Sequence, residues 1–315
     1  TTAAINALTT DQVAALNAAQ VNALGTRQVA ALNTNQIGAI ETTDLAAMNT
    51  AQIATFNTAQ TVALSTSQVA ALNTAHVRAL NTADTAALTT DQITALNSAH
   101  VSALSTVQIS VLNTAQAAAI ETSDLVGLST ASIRAFTTAA AAALTTDQVV
   151  NLNTAQVNAF GTSQVAVLTT AQINAMETTD IAAMNTAQFN VFTTAQTVAI
   201  STAQLAALGT SAVRALNTAD TAALTTEQIA ALNSAHVAAL TTTQIGVLTT
   251  NQVAAFETSD LAGFSTASIR ALTTAGVAAL TTDEIVALNT SQAAAFSTTQ
   301  IAALNTNQIA AFETT

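Results

Sequence analysis

The sequence has no cysteine, no proline, no tryptophan and no tyrosine, and only eight glycines among 315 residues. Without cysteine, neither a disulfide framework nor a thiolate metal site can form. Charge is scarce as well: charged residues make up 7%, and five basic residues, all arginine, face 17 acids for a formal net charge of −12. This balance argues against nucleic acid and anionic membranes as partners, because both are held by basic groups that neutralise phosphate. No apolar run reaches the roughly eighteen residues that a membrane-spanning helix needs. No basic-then-apolar signal segment opens the chain.

What the chain does have is an apolar half, which is incompatible with disorder, and a strict period. An apolar anchor stands at Leu8, Leu16, Leu24, Leu32, Ile40, Met48 and Phe56, and then at every eighth position to Phe312 without insertion or deletion. A chain of short units at fixed spacing is a solenoid or array in which each unit packs on its neighbours. Residues 1–315 therefore read as one continuous array. Both ends fall inside the pattern, so an excerpt of a longer chain is expected.

Counting from the anchor as position 0, position 1 is Asn, Thr or Ser, position 2 usually Thr, position 4 usually Gln, position 5 Val or Ile, and position 7 usually Ala. Positions 1 and 4 have the spacing of a capping box, as in Asn17 with Gln20 or Thr145 with Gln148. Position 5 and the next anchor are three apart, which puts them on one face of a short helix. A single continuous helix is excluded, because eight residues at 100° each would wind the anchors around the rod by about 80° per octad. Helices this short are unstable alone and must stack. The fold expected is an all-α solenoid with one short capped helix per octad. The alternative, a β-solenoid, is encouraged by Thr, Val and Ile, but it puts positions 5 and 0 on opposite faces and lacks turn residues. Small residues at position 7, including Gly127 and Gly263, imply close backbone approach, and Val111, Val167, Val191 and Val247 mark octads that must pack differently. Thr61, Thr85, Thr197 and Thr221 replace Val or Ile at position 5, their hydroxyls expected to bond local carbonyls.

The charged residues carry a longer period. Glu41, Glu121, Glu177, Glu257 and Glu313 at position 1 are separated by ten, seven, ten and seven octads. Asp11, Asp91, Asp147, Glu227 and Asp283 at position 3 follow the same series, and Arg78, Arg134, Arg214 and Arg270 at position 6 run seven, ten, seven. The super-repeat is thus seventeen octads, ten plus seven, visible as duplication in Asn81 to Leu104 against Asn217 to Leu240. If these residues share a face, a coil holds about 3.4 octads, hence three to four helices, spaced at the ~8–10 Å of packed helices. Acidic and arginine stripes would then run along the outside.

Candidate chemistry is sparse. Glu at position 1 is a poor cap, and Asp follows at position 4 in the pairs Glu41 and Asp44, Glu121 and Asp124, Glu177 and Asp180, and Glu257 and Asp260. Such carboxylate pairs could hold Ca²⁺ with carbonyls and water, or serve as solvated first-turn charge. His76, His100 and His236 take the place of Gln at position 4, where an imidazole can complete the capping box. Their spacing suits no ligand pair on one helix. No nucleophile elbow, catalytic triad motif or glycine-rich phosphate loop is present, so no catalytic residue and no cofactor is assigned. The many Thr residues raise ice binding as a remote alternative, but they sit at helix starts and not along a flat strand ladder.

The octad Thr-x-Gln-Val/Ile-x-Ala-Leu-Asn/Thr/Ser, seen in Thr66 to Asn73 and Thr226 to Asn233, resembles arrays in very large secreted bacterial repeat proteins of the exoprotein and adhesin type. The resemblance covers the whole chain and implies an extracellular or cell-surface structural role. A haem-related role sometimes attached to such proteins gains nothing from three capping-type histidines. The expected function is thus a structural rod, serving as stalk, sheath or self-assembling filament, with end-to-end or side-by-side self-association. The alternative is an adhesin or Ca²⁺-dependent binding module.

Overall fold

Each octad turns a corner without a turn residue. In Leu88 to Leu96 the anchor Leu88 is extended at φ −53°, ψ 135°, and Thr89 follows at φ −73°, ψ 161°. These two residues stop one helix and start the next, Thr90–Thr94. No residue of either kind, glycine or otherwise, takes a positive φ among the described residues, so the scarcity of glycine and absence of proline have a direct cause. Within the helix Ile93 N–H donates to Thr89 C=O at 2.9 Å, and Leu96 N–H closes back on Ile93 C=O at 3.1 Å. The chain buries Ile93 and the anchors on one side of that turn.

The computed structural model describes residues 1–312, so Glu313 lies outside the described residues. Among them are 38 short α-helices, from Thr2–Asn6 to Thr306–Phe312, and one 3₁₀ helix, Leu261–Gly263, with no strand. The structure is all-α with one helix per octad, and the β-solenoid is set aside. Two compact units are distinguished, Thr1–Phe160 and Gly161–Thr315.

In the first unit, Thr10–Ala14 packs on Thr34–Gly38, Thr74–Ala79 on Ser98–Ala103, and Thr114–Ala119 on Thr138–Ala143. In the second, Thr170–Ala175 packs on Thr194–Ala199 and Thr210–Ala215 on Ser234–Ala239. Each partner lies three helices along the chain. A coil therefore takes three octads, at the lower end of the expected three to four.

This count corrects the expected charge stripes. Ten octads are three coils plus one octad, and seven are two coils plus one octad, so each recurrence steps to the next side. Within the first unit, Asp11, Asp91 and Asp147 fall on three different sides. The recurrence records duplication of sequence, not a shared edge.

Position 5 is the innermost site and is sealed in both units, with Ile37, Ile53, Ile109, Val165 and Ile229 among the buried residues. Thr85 and Thr221 take this place and donate their hydroxyls to Asn81 C=O and Asn217 C=O at 2.9 and 2.8 Å. The hydroxyls of Thr61 and Thr197 are buried without a partner, against the expectation for those two. Position 7 faces the coil beneath: a Cβ on Gly127 would stand 3.0 Å from Ser98 O. Where Val occupies position 7, helices Thr106–Ile109, Thr162–Val165, Thr186–Phe189 and Thr242–Ile245 all stop after a single four-residue turn. Their last turn closes by a bond three residues back, such as Val111 N–H to Gln108 C=O at 3.3 Å.

Candidate functional site

Position 4 is where the chain concentrates its buried polar side chains. Gln92 shows the arrangement in full. Its Oε1 accepts from Thr89 N–H at 2.9 Å, while its own N–H donates to Thr89 Oγ1 at 3.2 Å, completing the capping box. Its Nε2 then reaches the coil beneath and donates to Thr61 C=O and Leu64 C=O, both at 2.8 Å. Those carbonyls close the end of helix Thr58–Val62; Thr61 C=O also accepts from Leu64 N–H at 3.2 Å, so the clamp adds a second donor there. One amide group thus caps the start of its own helix and the end of the helix four octads earlier, at the corner that lies one coil below.

The same clamp recurs in both units. Gln36 donates to Ile5 C=O and Leu8 C=O at 2.9 and 2.8 Å. Gln148 donates to Ala117 C=O and Ile120 C=O at 3.0 and 2.7 Å, and Gln244 to Val213 C=O and Leu216 C=O at 3.0 and 2.8 Å. In each case the two partners keep the same sequence offsets, 31 and 28. Sequence reasoning identified the capping half of this role and missed the clamping half. A signal was available: a capping box accepts Glu as readily as Gln, yet this chain uses Gln, and only Gln brings an –NH₂ to donate.

The histidines reproduce both halves. Asn73 N–H approaches His76 Nδ1 at 3.4 Å, and His76 Nε2 lies 2.8 Å from Met48 C=O. His100 and His236 do the same with Leu72 and Leu208 C=O at 2.6 and 2.8 Å. An imidazole can serve in this way only when neutral, with its proton on Nε2. Burial holds the His76 ring below its ordinary pKa, with the bond to Met48 C=O opposing the shift.

Three octads per coil also brings together residues that look distant in sequence. His76 and His100 are three octads apart, which is one coil, and Asp124 stands one coil above His100. In the second unit His236, Asp260 and Glu284 stack in the same way. Burial raises the Asp124 carboxyl pKa; the Ser123 hydroxyl opposes this, Glu121 adds to it, and His100 below lowers it. Asp84 and Asp220 are likewise pushed up by burial, and each accepts from the neighbouring Asn81 or Asn217 amide at 2.6 Å.

The carboxylate pairs considered for Ca²⁺ divide between surface and interior. Glu41, Glu121, Glu177 and Glu257 are exposed, whereas Asp44, Asp124, Asp180 and Asp260 are buried at position 4. Glu41, Glu121 and Glu177 start their helices without a side-chain cap. Among the described residues no group of three or more His, Cys, Asp or Glu is arranged to hold a metal ion. Outside the column, Arg78 and Arg270 donate from Nε to Ala103 and Ala295 C=O, each at 3.3 Å, so position 6 ties upward while position 4 ties downward. No helix among the described residues is long and apolar enough to cross a membrane.

A family model described as the ALTTAQ repeat matches overlapping segments that together run from residue 1 to 98 and from 117 to 314, for example 37–74, 117–154 and 253–290. No curated protein matches the sequence.

Proposed function

The chain belongs to the ALTTAQ repeat family, and on that footing we propose that it is a structural module, a helical solenoid serving as stalk, sheath or filament at a bacterial surface. The observation that carries this reading is the Gln clamp. Its repetition uses the chain's buried amides to join each coil to the one beneath. The polar chemistry of the interior goes into holding length and register.

The outer surface suits such a module. Exposed positions are filled mainly by Thr, Ser, Asn, Ala and acids, with single aliphatics such as Val107 and Val126, and the net negative charge resists non-specific association. Secretion and a surface location are part of the proposal and rest on the resemblance of the octad to large exoprotein arrays. Electron microscopy of the purified chain tests the assembly: elongated particles that join into fibres support it. Dispersed particles that never associate at any concentration would remove the filament version.

A further inference from the structure

Glu284 is the one residue at position 4 that keeps the length of Gln but loses its donor. One carboxylate oxygen accepts from Thr281 N–H at 2.5 Å, and Glu284 N–H donates to Thr281 Oγ1 at 3.1 Å, so the capping box is intact. The other oxygen, Oε1, therefore occupies the place that Gln gives to Nε2. It is buried without a partner, in a side chain only 2% exposed. By the spacing that every Gln clamp follows, the groups beneath it are the carbonyls of Val253 and Phe256. An ionised Glu284 would set oxygen against oxygen in a site closed to water.

The octad beneath Glu284 departs from the rest. From Glu257 to Phe264 the chain forms a turn and then the 3₁₀ helix Leu261–Gly263. Its bonds run three residues back: Asp260 N–H to Glu257 C=O and Gly263 N–H to Asp260 C=O, both at 2.9 Å. The duplicated octad in the first unit, Glu121 to Leu128, lies under Gln148 and keeps an α-helix, Thr122–Leu125. The supporting helices differ in the same sense: Thr114–Ala119 has six residues and Thr250–Val253 four. The two octads also differ at their anchors, where Phe256 and Phe264 stand edge to face at 5.2 Å in place of Ile120 and Leu128. A reciprocal exchange is therefore needed to isolate Glu284.

We infer that Glu284 is a neutral carboxylic acid that donates Oε1–H to the carbonyls of the Phe256 corner, and that its ionisation loosens the 257–264 octad, making this coil a proton-sensitive joint. The charged and titratable groups on the elements packed against it are acids. Glu257 and Asp260 lie on the segment below and Asp283 on its own helix. Helices Thr306–Phe312 above and Thr250–Val253 at the supporting corner carry no titratable side chain. His236, one coil further down, lies beyond Asp260. Burial raises the pKa of Glu284, opposed by the Thr281 backbone and hydroxyl. The sign follows: stability from the neutral form is full below the ordinary glutamate pKa and is lost as pH rises through the raised one.

The test is an NMR titration of side-chain ¹³C-labelled glutamates with amide hydrogen exchange on the intact chain, comparing wild type, Glu284→Gln and Gln148→Glu. The Glu284 carbon should keep its acid-form shift at a pH above the ordinary glutamate value. Protection of amides 257–264 should fall by about tenfold for each pH step of one between the ordinary and raised midpoints. Glu284→Gln should abolish that fall, and Gln148→Glu should install it in octad 121–128. Glu284 titrating with the exposed glutamates would overturn the inference. So would an equal loss of protection in wild type and Glu284→Gln.

Discussion

The residue that organises this protein is glutamine, used at both ends of its amide group. Replacing Gln92 by Glu keeps the capping acceptor and removes the donor to Thr61 and Leu64 C=O. At neutral pH this should cost about 1–3 kcal/mol, the range for burying polar groups without partners, measured by denaturant unfolding. His76 gives a test by pH. Its folded-state pKa is depressed, so its contribution is present above the ordinary histidine value and declines as pH falls below about 6.5. His76→Gln should remove that decline, which thermal melts at a series of pH values will show. Half of this chemistry was legible in the sequence. Asn73 to His76 and Thr89 to Gln92 are local and carry the capping pattern on their face. The carbonyl partners in the coil beneath, Thr61 and Leu64 for Gln92, are not local, and finding them requires the number of octads per coil, which no single octad contains.

At the scale of the element, each helix is too short to be stable alone and is defined by its ends. The apolar spacing and the caps were enough to expect one short α-helix per octad, because both act within one octad. The four octads with Val at position 7 all have helices of four residues, but so do octads without it, such as those of Thr50–Ile53 and Thr250–Val253. The 3₁₀ segment at Leu261–Gly263 was not legible, since its sequence nearly repeats that of the α-helical Thr122–Leu125 octad; what lies above it differs. Two glycines offer opposite outcomes. A Cβ on Gly38, inside helix Thr34–Gly38, would meet Ala63 O at 3.5 Å, an ordinary contact. Gly38→Ala should stabilise by ~0.5–1 kcal/mol. A Cβ on Gly263 would lie 2.2 Å from Ser234 O, which is backbone. Gly263→Ala should destabilise by about 1–3 kcal/mol, as overpacked sites do. Chemical unfolding of the two variants checks both signs.

For the whole molecule, the unit of construction is the coil of three octads. Stability in such arrays comes from each unit and its nearest neighbours. Removing residues 81–104, one coil of the first unit, should leave the helical circular dichroism per residue unchanged. Removing half of one octad should lower both helicity and melting temperature, since it breaks the register of anchors and clamps. The repeat and its helical class were evident from the sequence, and the three octads per coil fall at the lower end of the expected three to four. Charges recurring at ten and seven octads suggested a shared face, but duplication had carried them to successive sides.

The central claim, that octads three apart are stacked, can be tested directly because the native chain contains no cysteine. Val62 and Ala86 are exposed and one coil apart, whereas Val62 and Thr94 are one coil and one octad apart. Cysteine pairs at these positions, spin-labelled, report distance through dipolar broadening of the electron paramagnetic resonance spectrum. The 62–86 pair should show the strong broadening of helices packed ~8–10 Å apart, and the 62–94 pair clearly less. Broadening at 62–94 equal to or greater than at 62–86 would contradict a three-octad coil.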